Sequence, residues 1–281
     1  MSLQETAIFF SESSPLSAAV QANGQQYEIR EQQKQMACAI AETFEAGEHL
    51  CVEAPTGVGK TFAYLLPALF YALETETAVL ISTNTINLQE QLIKKDVEII
   101  RKATGIDFTC SLAKGRSNYL CLRKLYNLAA SDELILDDAA YTGELRSLLN
   151  WSKHCEDGDL SSMDRSVSAQ LAPLVSCERG NCLTKRCPYF YKCFLFKARR
   201  KLSESQLIIS NHAFFFSSLA MQDLDDTESA SESLALLPDF SAVIFDEGHT
   251  LEDVAAYHLG QRFETAGFKN LLNRIYIDDR R

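Results

Sequence analysis

One short stretch constrains the fold more than any other. The apolar run HLCVEA (49–54) reads as a strand and FAYLLPALFYAL (62–73) as a helix, with Pro55-Thr-Gly-Val-Gly-Lys-Thr61 turning between them. Gly57 and Gly59 give that turn the backbone freedom a tight loop needs. Successive N–H groups in such a turn, together with the first turn of the following helix, form a cradle for an anion, above all a phosphate. Lys60 is placed to reach the β- and γ-phosphates of a nucleotide, and the Thr61 hydroxyl to ligate Mg²⁺. Ala54, Pro55, Thr56 and Val58 complete the binding segment. Ala54 stands where the strict phosphate-loop pattern has glycine, so the strand–turn–helix context is what separates this stretch from a chance glycine-rich turn.

The surrounding pattern alternates. Residues 28–47 place Ile29, Met36, Ile40 and Phe44 at helical spacing and stop at Gly47. AVLIST (78–83) reads as a strand and 87–104 as a helix ending at Gly105. FTCSLA (108–113), QLIIS (206–210) and AVIFDE (242–247) read as further strands. Strands alternating with helices predict an α/β fold, a parallel sheet with helices on both faces. Residues 1–25 read as an irregular lead-in or a short edge strand. The alternation fails between 113 and 205, which predicts an insertion, its middle (131–165) helical with loops. The acidic, serine-rich 222–233 reads as a solvated loop.

A phosphate loop needs a second acidic element. Ala242-Val-Ile-Phe-Asp-Glu-Gly-His249 is an apolar strand that delivers Asp246 to its C-terminal end, where ligands bind in open α/β sheets. Asp246 is expected to hold Mg²⁺ and Glu247 to orient or deprotonate the attacking water. Lys60, Asp246 and Glu247 are thus the candidate catalytic groups.

The chain carries a net charge of -11, yet residues 177–201 hold eight Lys and Arg against one acid, Glu178. That asymmetry marks a site for a polyanion. Tyr189, Phe190, Tyr191, Phe194 and Phe196 interleave with the cations, as a groove for single-stranded nucleic acid requires. Within this set Arg199, Arg200 and Lys201 are the candidate strand contacts. Six of the nine cysteines follow Cys110 and fall in the inserted region. Cys182-x₄-Cys187-x₅-Cys193, with Cys121 upstream, can bind Zn²⁺ or an iron–sulfur cluster. One distant ligand plus three at these gaps favours a [4Fe–4S] cluster over zinc, and Cys177 competes with Cys182 for a place in the set.

Together these residues resemble the XPD-like branch of superfamily 2 DNA helicases, and within it the bacterial DinG/YoaA group. The resemblance rests on Glu53–Thr61, Asp246–His249 and the spaced cysteines, together with Arg30-x-x-Gln33-x-x-Met36, Ser82–Leu92, Gly115–Cys121 and Ser210-Asn-His212, all in family order from about 28 to 265. It implies a RecA-like P-loop domain interrupted by a small cysteine-rich insertion, with a [4Fe–4S] cluster on Cys121, Cys182, Cys187 and Cys193. It implies ATP-driven movement 5′ to 3′ on single-stranded or forked DNA in repair or replication. It also implies that Gln33, helped by Arg30, reads the adenine edge, and that Thr83 and Thr85 touch the DNA backbone. The box reads Asp-Glu-Gly-His where the family has Asp-Glu-Ala-His.

The expected organisation is therefore a first part of motor domain 1 (1–112), the iron–sulfur insertion (113–204), the rest of motor domain 1 (205–265), and the start of an arch or second-motor region (266–281). The 16 residues after 265 cannot hold the arch and second RecA-like domain of the family, so the chain reads as an N-terminal fragment. A non-motor nucleotide- and cluster-binding module that senses redox state or iron is the alternative. No apolar run approaches the roughly 20 residues that cross a bilayer, and no secretory signal opens the chain, which predicts a cytoplasmic protein.

Overall fold

In the computed structural model, residues 3–260 are described apart from 12, 13, 25, 27, 85, 131–138, 179 and 226–235, together with 265, 268 and 272. Helices α1 (Leu3–Phe9), α2 (Pro15–Ala22), α3 (Glu31–Ala46) and α4 (Lys60–Thr75) precede strand β1 (Ala78–Thr83). Then come α5 (Ile86–Gln91), α6 (Val97–Thr104), β2 (Cys110–Leu112), α7 (Leu122–Ala130), α8 (Ala139–Trp151), α9 (Ala172–Val175) and α10 (Phe194–Ser203). Strand β3 (Leu207–Asn211), α11 (His212–Asp225), β4 (Phe240–Phe245) and α12 (Leu251–Leu259) follow. The four strands form one parallel sheet in the order β2-β3-β1-β4.

All six residues of β1 are buried, as a parallel strand covered on both faces must be. Alternate side chains serve opposite cores. Val79 and Ile81 join Leu66 and Leu69 of α4, Ile99 and Ile100 of α6, and Leu207 and Ile209 of β3. Ala78 and Leu80 face the other way, onto Ile208, Phe214 and Phe215. A third cluster lies wholly between residues 119 and 195, with Leu120, Leu125, Leu148, Leu171, Val175 and Phe194 at its centre. Among the described residues no helix is long and apolar enough to cross a membrane.

Three local expectations are corrected. The run 49–54 is not a strand: it pairs with nothing, and Leu50 and Val52 are 44% and 41% exposed. A strand exists only through its ladder, and β4 ends the sheet among the described residues. The N-terminal residues are helical. Ser14 caps α2, Pro15 occupies its first turn, and Leu16, Ala19 and Val20 recur at helical spacing into the core. The helix expected over 87–104 is interrupted by a π-turn at Leu92–Asp96. The remainder of the acidic loop expected at 222–233, beyond the end of α11, lies outside the described residues.

Asp96 closes that π-turn almost fully buried, with Oδ2 unpartnered. Burial raises its pKa from 3.8 to about 6, against the opposing pull of Lys95 and Gln91. The native state therefore holds this proton more tightly than the unfolded chain. The stability cost of ionising it is absent near pH 4 and complete above about 6. Asp96→Asn is expected to stabilise the fold by roughly 1–3 kcal/mol at pH 7.5. The gain should shrink as the pH falls through about 6, which thermal melts across that range would register.

Candidate functional site

The loop between α3 and α4 is shaped by two positive-φ glycines, Gly57 (88°) and Gly59 (84°). The start of α3 holds its carbonyls. Arg30 donates to the Gly57 oxygen and pairs with Glu28, while Gln33 Nε2 donates to the Gly59 oxygen at 2.7 Å. Each peptide is trans, so tying a carbonyl outward turns the next N–H the opposite way. The Val58 and Lys60 amides thus point away from α3, where an anion cradle needs them. Gln33 lies so close that a Cβ on Gly59 would overlap its amide nitrogen. Gln33 is buried in this contact, so the residue expected to read adenine is engaged here in bracing the loop.

Far apart in sequence, the end of β4 meets the start of α4. Glu247 Oε1 stands 3.7 Å from Lys60 Nζ, and Oε2 stands 3.5 Å from His249 Nδ1. Asp246 is fixed at both ends: its N–H donates to the Ser82 carbonyl at 2.9 Å, and its Oδ2 accepts from the Tyr64 hydroxyl at 3.2 Å. Tyr64 follows Thr61 by one turn of α4, which sets the phenol beside both expected Mg²⁺ ligands. Burial, then the Asp246 charge, holds that phenol well above its ordinary pKa, so it stays protonated and donates. Glu247 itself takes a left-handed conformation (φ 60°), the kind of backbone strain that collects at functional sites. Tyr64 was missed because it sits in an apolar run; its spacing of i+3 from Thr61 is the signal that finds it.

Thr83 ends β1, buried, and Thr85 lies outside the described residues. Beside Thr83, the Ser82 hydroxyl and His212 Nδ1 are 2.7 Å apart. Burial lowers the His212 pKa, against the opposing pull of the Asp246 main chain and carboxylate.

The cysteines divide. Cys121 and Cys193 immediately precede α7 and α10, and amide N–H groups of those helices donate to their sulfurs. The buried Cys177 thiol lies within reach of both sulfurs, and its single proton serves one of them at a time. Cys121 is lowered to about 6 and Cys193 to about 7, in each case chiefly by that Cys177 bond and then by the helix amides, against burial. Cys177 is pushed up by the same bonds. Thiolates favoured at two helix N-termini are the donor chemistry a soft metal or cluster requires, so these residues fit such a group. Cys187 is half-buried and Cys182 exposed, and among the described residues no three His, Cys, Asp or Glu groups are arranged as a metal site.

The basic segment is corrected at one residue. Arg199 is only 8% exposed, with its guanidinium 5.4 Å above the Phe214 ring and Nη1 unpartnered. Burial lowers its pKa to about 10. A cation stacked in the interior does not present itself to a strand. Arg200 and Lys201, on the same helix, are exposed, and Tyr191 is 93% exposed.

Residues 30–149 match the family of DEAD/DEAH box helicases. Over that segment the chain is similar to DEAD/DEAH box helicases. It is 36% identical over 253 residues to the ATP-dependent DNA helicase YoaA of Escherichia coli, an alignment covering 89% of this chain and 38% of the relative. It is 33% identical over 243 residues to the ATP-dependent DNA helicase DinG of Salmonella typhimurium, covering 80% and 32%. With the ATP-dependent helicase DinG of Mycobacterium tuberculosis the identity is 36% over 240 residues, covering 80% and 34%. The chain thus spans about a third of the length of the relatives it matches.

The crowding of Gly59 gives a direct test of the cradle. Gly59→Ala meets both a strained φ and the Gln33 amide, and is expected to weaken Mg-ATP binding about tenfold or more in titration calorimetry. Adding Gln33→Ala relieves only the clash, so recovery should be partial.

Proposed function

We propose that this chain is the ATP-binding first motor domain of an ATP-dependent DNA helicase of the DinG/YoaA type, moving 5′ to 3′ on single-stranded or forked DNA. The observation that carries this reading is the convergence of Lys60, Thr61, Asp246 and Glu247 at one sheet edge, with Tyr64 beside the expected Mg²⁺ ligands. The Val58 and Lys60 amides and Lys60 Nζ bind the β- and γ-phosphates. Thr61 and Asp246 hold Mg²⁺. When the phosphates draw Lys60 away, Glu247 is released to orient the water. That ion pair is partly exposed on both sides, so it is worth no more than about 1 kcal/mol and yields to a phosphate.

Residues 113–204 are proposed as the inserted domain, with Cys121, Cys182, Cys187 and Cys193 holding a [4Fe–4S] cluster; Arg200 and Lys201 lie beside it for the strand backbone. Bound there, such a cluster would supply a rigid, redox-active cross-link between the starts of α7 and α10 and the segment that joins α9 to α10. Support comes from Cys121 and Cys193, whose sulfurs precede helices and lie beside the buried Cys177 thiol.

Lys60→Ala is expected to lose at least about tenfold in Mg-ATP affinity, since a charge-assisted contact to phosphate is removed. Equal binding by both chains would falsify the nucleotide assignment. For the cluster, anaerobically purified protein should contain about four irons per chain, lost in Cys187→Ser and kept in Cys38→Ser. Stoichiometric zinc without iron would overturn it.

A further inference from the structure

The face built from α1, α3 and α4 carries a hollow that the nucleotide reading does not use. It is lined by Phe44 and Glu45 of α3 and by Pro67, Phe70, Tyr71 and Glu74 of α4, with α1 closing one side. Arg30, Gln33 and Lys60, at the starts of the same two helices, shape the phosphate loop. The hollow lies about three turns further along both helices, on the order of 16 Å from that loop, so an occupant leaves the loop free. Phe44 and Tyr71 stack there with ring centroids 4.5 Å apart and planes 10° from parallel. Phe9 of α1 tilts onto Phe70 at 5.9 Å. Phe44, Phe70 and Tyr71 are only half-buried.

Charge identifies the occupant. Glu45 and Glu74 stand exposed at the rim, and Glu42, Glu48 and Glu76 are exposed on or beside the same two helix ends. Neither helix has a basic residue in its last turn. A helix C-terminus carries partial negative charge, so carboxylates are disfavoured there and cations favoured. Glu42, Glu45, Glu48 and Glu76 make no ion pair among the described residues. A second local rule is broken at the same place, since Pro67 removes a bond from the interior of α4. Local rules broken together are expected where function demands it. Nucleic acid and anionic lipid are repelled by such a rim. A guanidinium satisfies it, being flat enough to lie against a ring and forked to give a carboxylate two N–H groups.

We propose that this hollow is a docking site for a basic segment of a protein partner, which seats an arginine side chain between Glu45 and Glu74 against the rings of Phe44 and Tyr71. It does not depend on the helicase reading. The test titrates hexaarginine into the 281-residue chain by calorimetry at low salt, with hexalysine in parallel. Wild type is expected to bind hexaarginine about fivefold or more tighter than hexalysine, because only the guanidinium stacks and forks. Glu45→Gln combined with Glu74→Gln should weaken hexaarginine about tenfold. Glu252→Gln combined with Asp253→Asn removes the same charge from the exposed start of α12 and should weaken it less than about twofold. Tyr71→Leu should abolish the preference for arginine, and because both charge pairs are exposed, their variants keep the test open should Tyr71→Leu fail to fold. Equal losses in the two charge-neutralised variants would show that the probe answers to net charge alone. That result, equal affinity for the two peptides, or no binding of hexaarginine overturns the proposal. So does self-association in sedimentation that disappears in the Glu45→Gln, Glu74→Gln chain, which would assign the hollow to the basic segment of a second copy.

Discussion

The parallel ladder that β1 makes with a strand on either side is the constraint on which everything else depends. Six consecutive buried residues leave β1 no solvent face, so its position is set by both cores at once. A one-residue slip would exchange Val79 and Ile81 with Ala78 and Leu80 and misfill both layers. That register brings the ends of β3 and β4 level with its own. His212 and Asp246 therefore emerge one residue past their strands, side by side, and α4 places Lys60 and Tyr64 opposite them. The reactive groups come from distant parts of the chain, but their relative placement is a property of one strand.

What could be read in the sequence follows from this. The strands β1, β3 and β4 are apolar runs that end in, or are followed at once by, polar residues, and each is found within two residues of where its run predicts. The run 49–54 has the same local character and fails, because strand formation depends on a partner that a single segment cannot reveal. Helices α1 and α2 were hidden for the opposite reason. Each is short, and Phe10, Leu16 and Val20 acquire meaning only when the groove over α3 and α6 exists to receive them. Lys60, Thr61, Asp246 and Glu247 stood out in the sequence because phosphate and metal chemistry fixes residue type and spacing, and the structure brings Lys60 within 3.7 Å of Glu247. Tyr64 did not, since it lies in an apolar run and meets Asp246 only in the folded chain.

The cysteines and the basic segment show the same limit at the level of single side chains. Spacing alone could not rank Cys177 against Cys182. Antiparallel bridging decides which is inside: Leu120 pairs with Ser176, and this sets Cys121 and Cys177 on one face while Cys182 stays out in the following loop. Likewise Arg199, Arg200 and Lys201 form one cationic cluster in sequence. Helical geometry turns successive residues by about 100°, so one of the three must face inward. Arg199 does so, onto Phe214.

The buried polar atoms without partners are Gln89 Nε2, Asp96 Oδ2, Arg199 Nη1 and His212 Nε2 among the described residues. They are not equivalent. Asp96 can relieve its cost by taking up a proton, and its raised pKa is that relief. Arg199 gains the face of an aromatic ring, which compensates a guanidinium in part. Burial disfavours the charged form of His212, and its Nε2 is left without a hydrogen-bond partner, with only the Phe245 ring centroid 5.9 Å away. The cost there persists at neutral pH in the resting molecule.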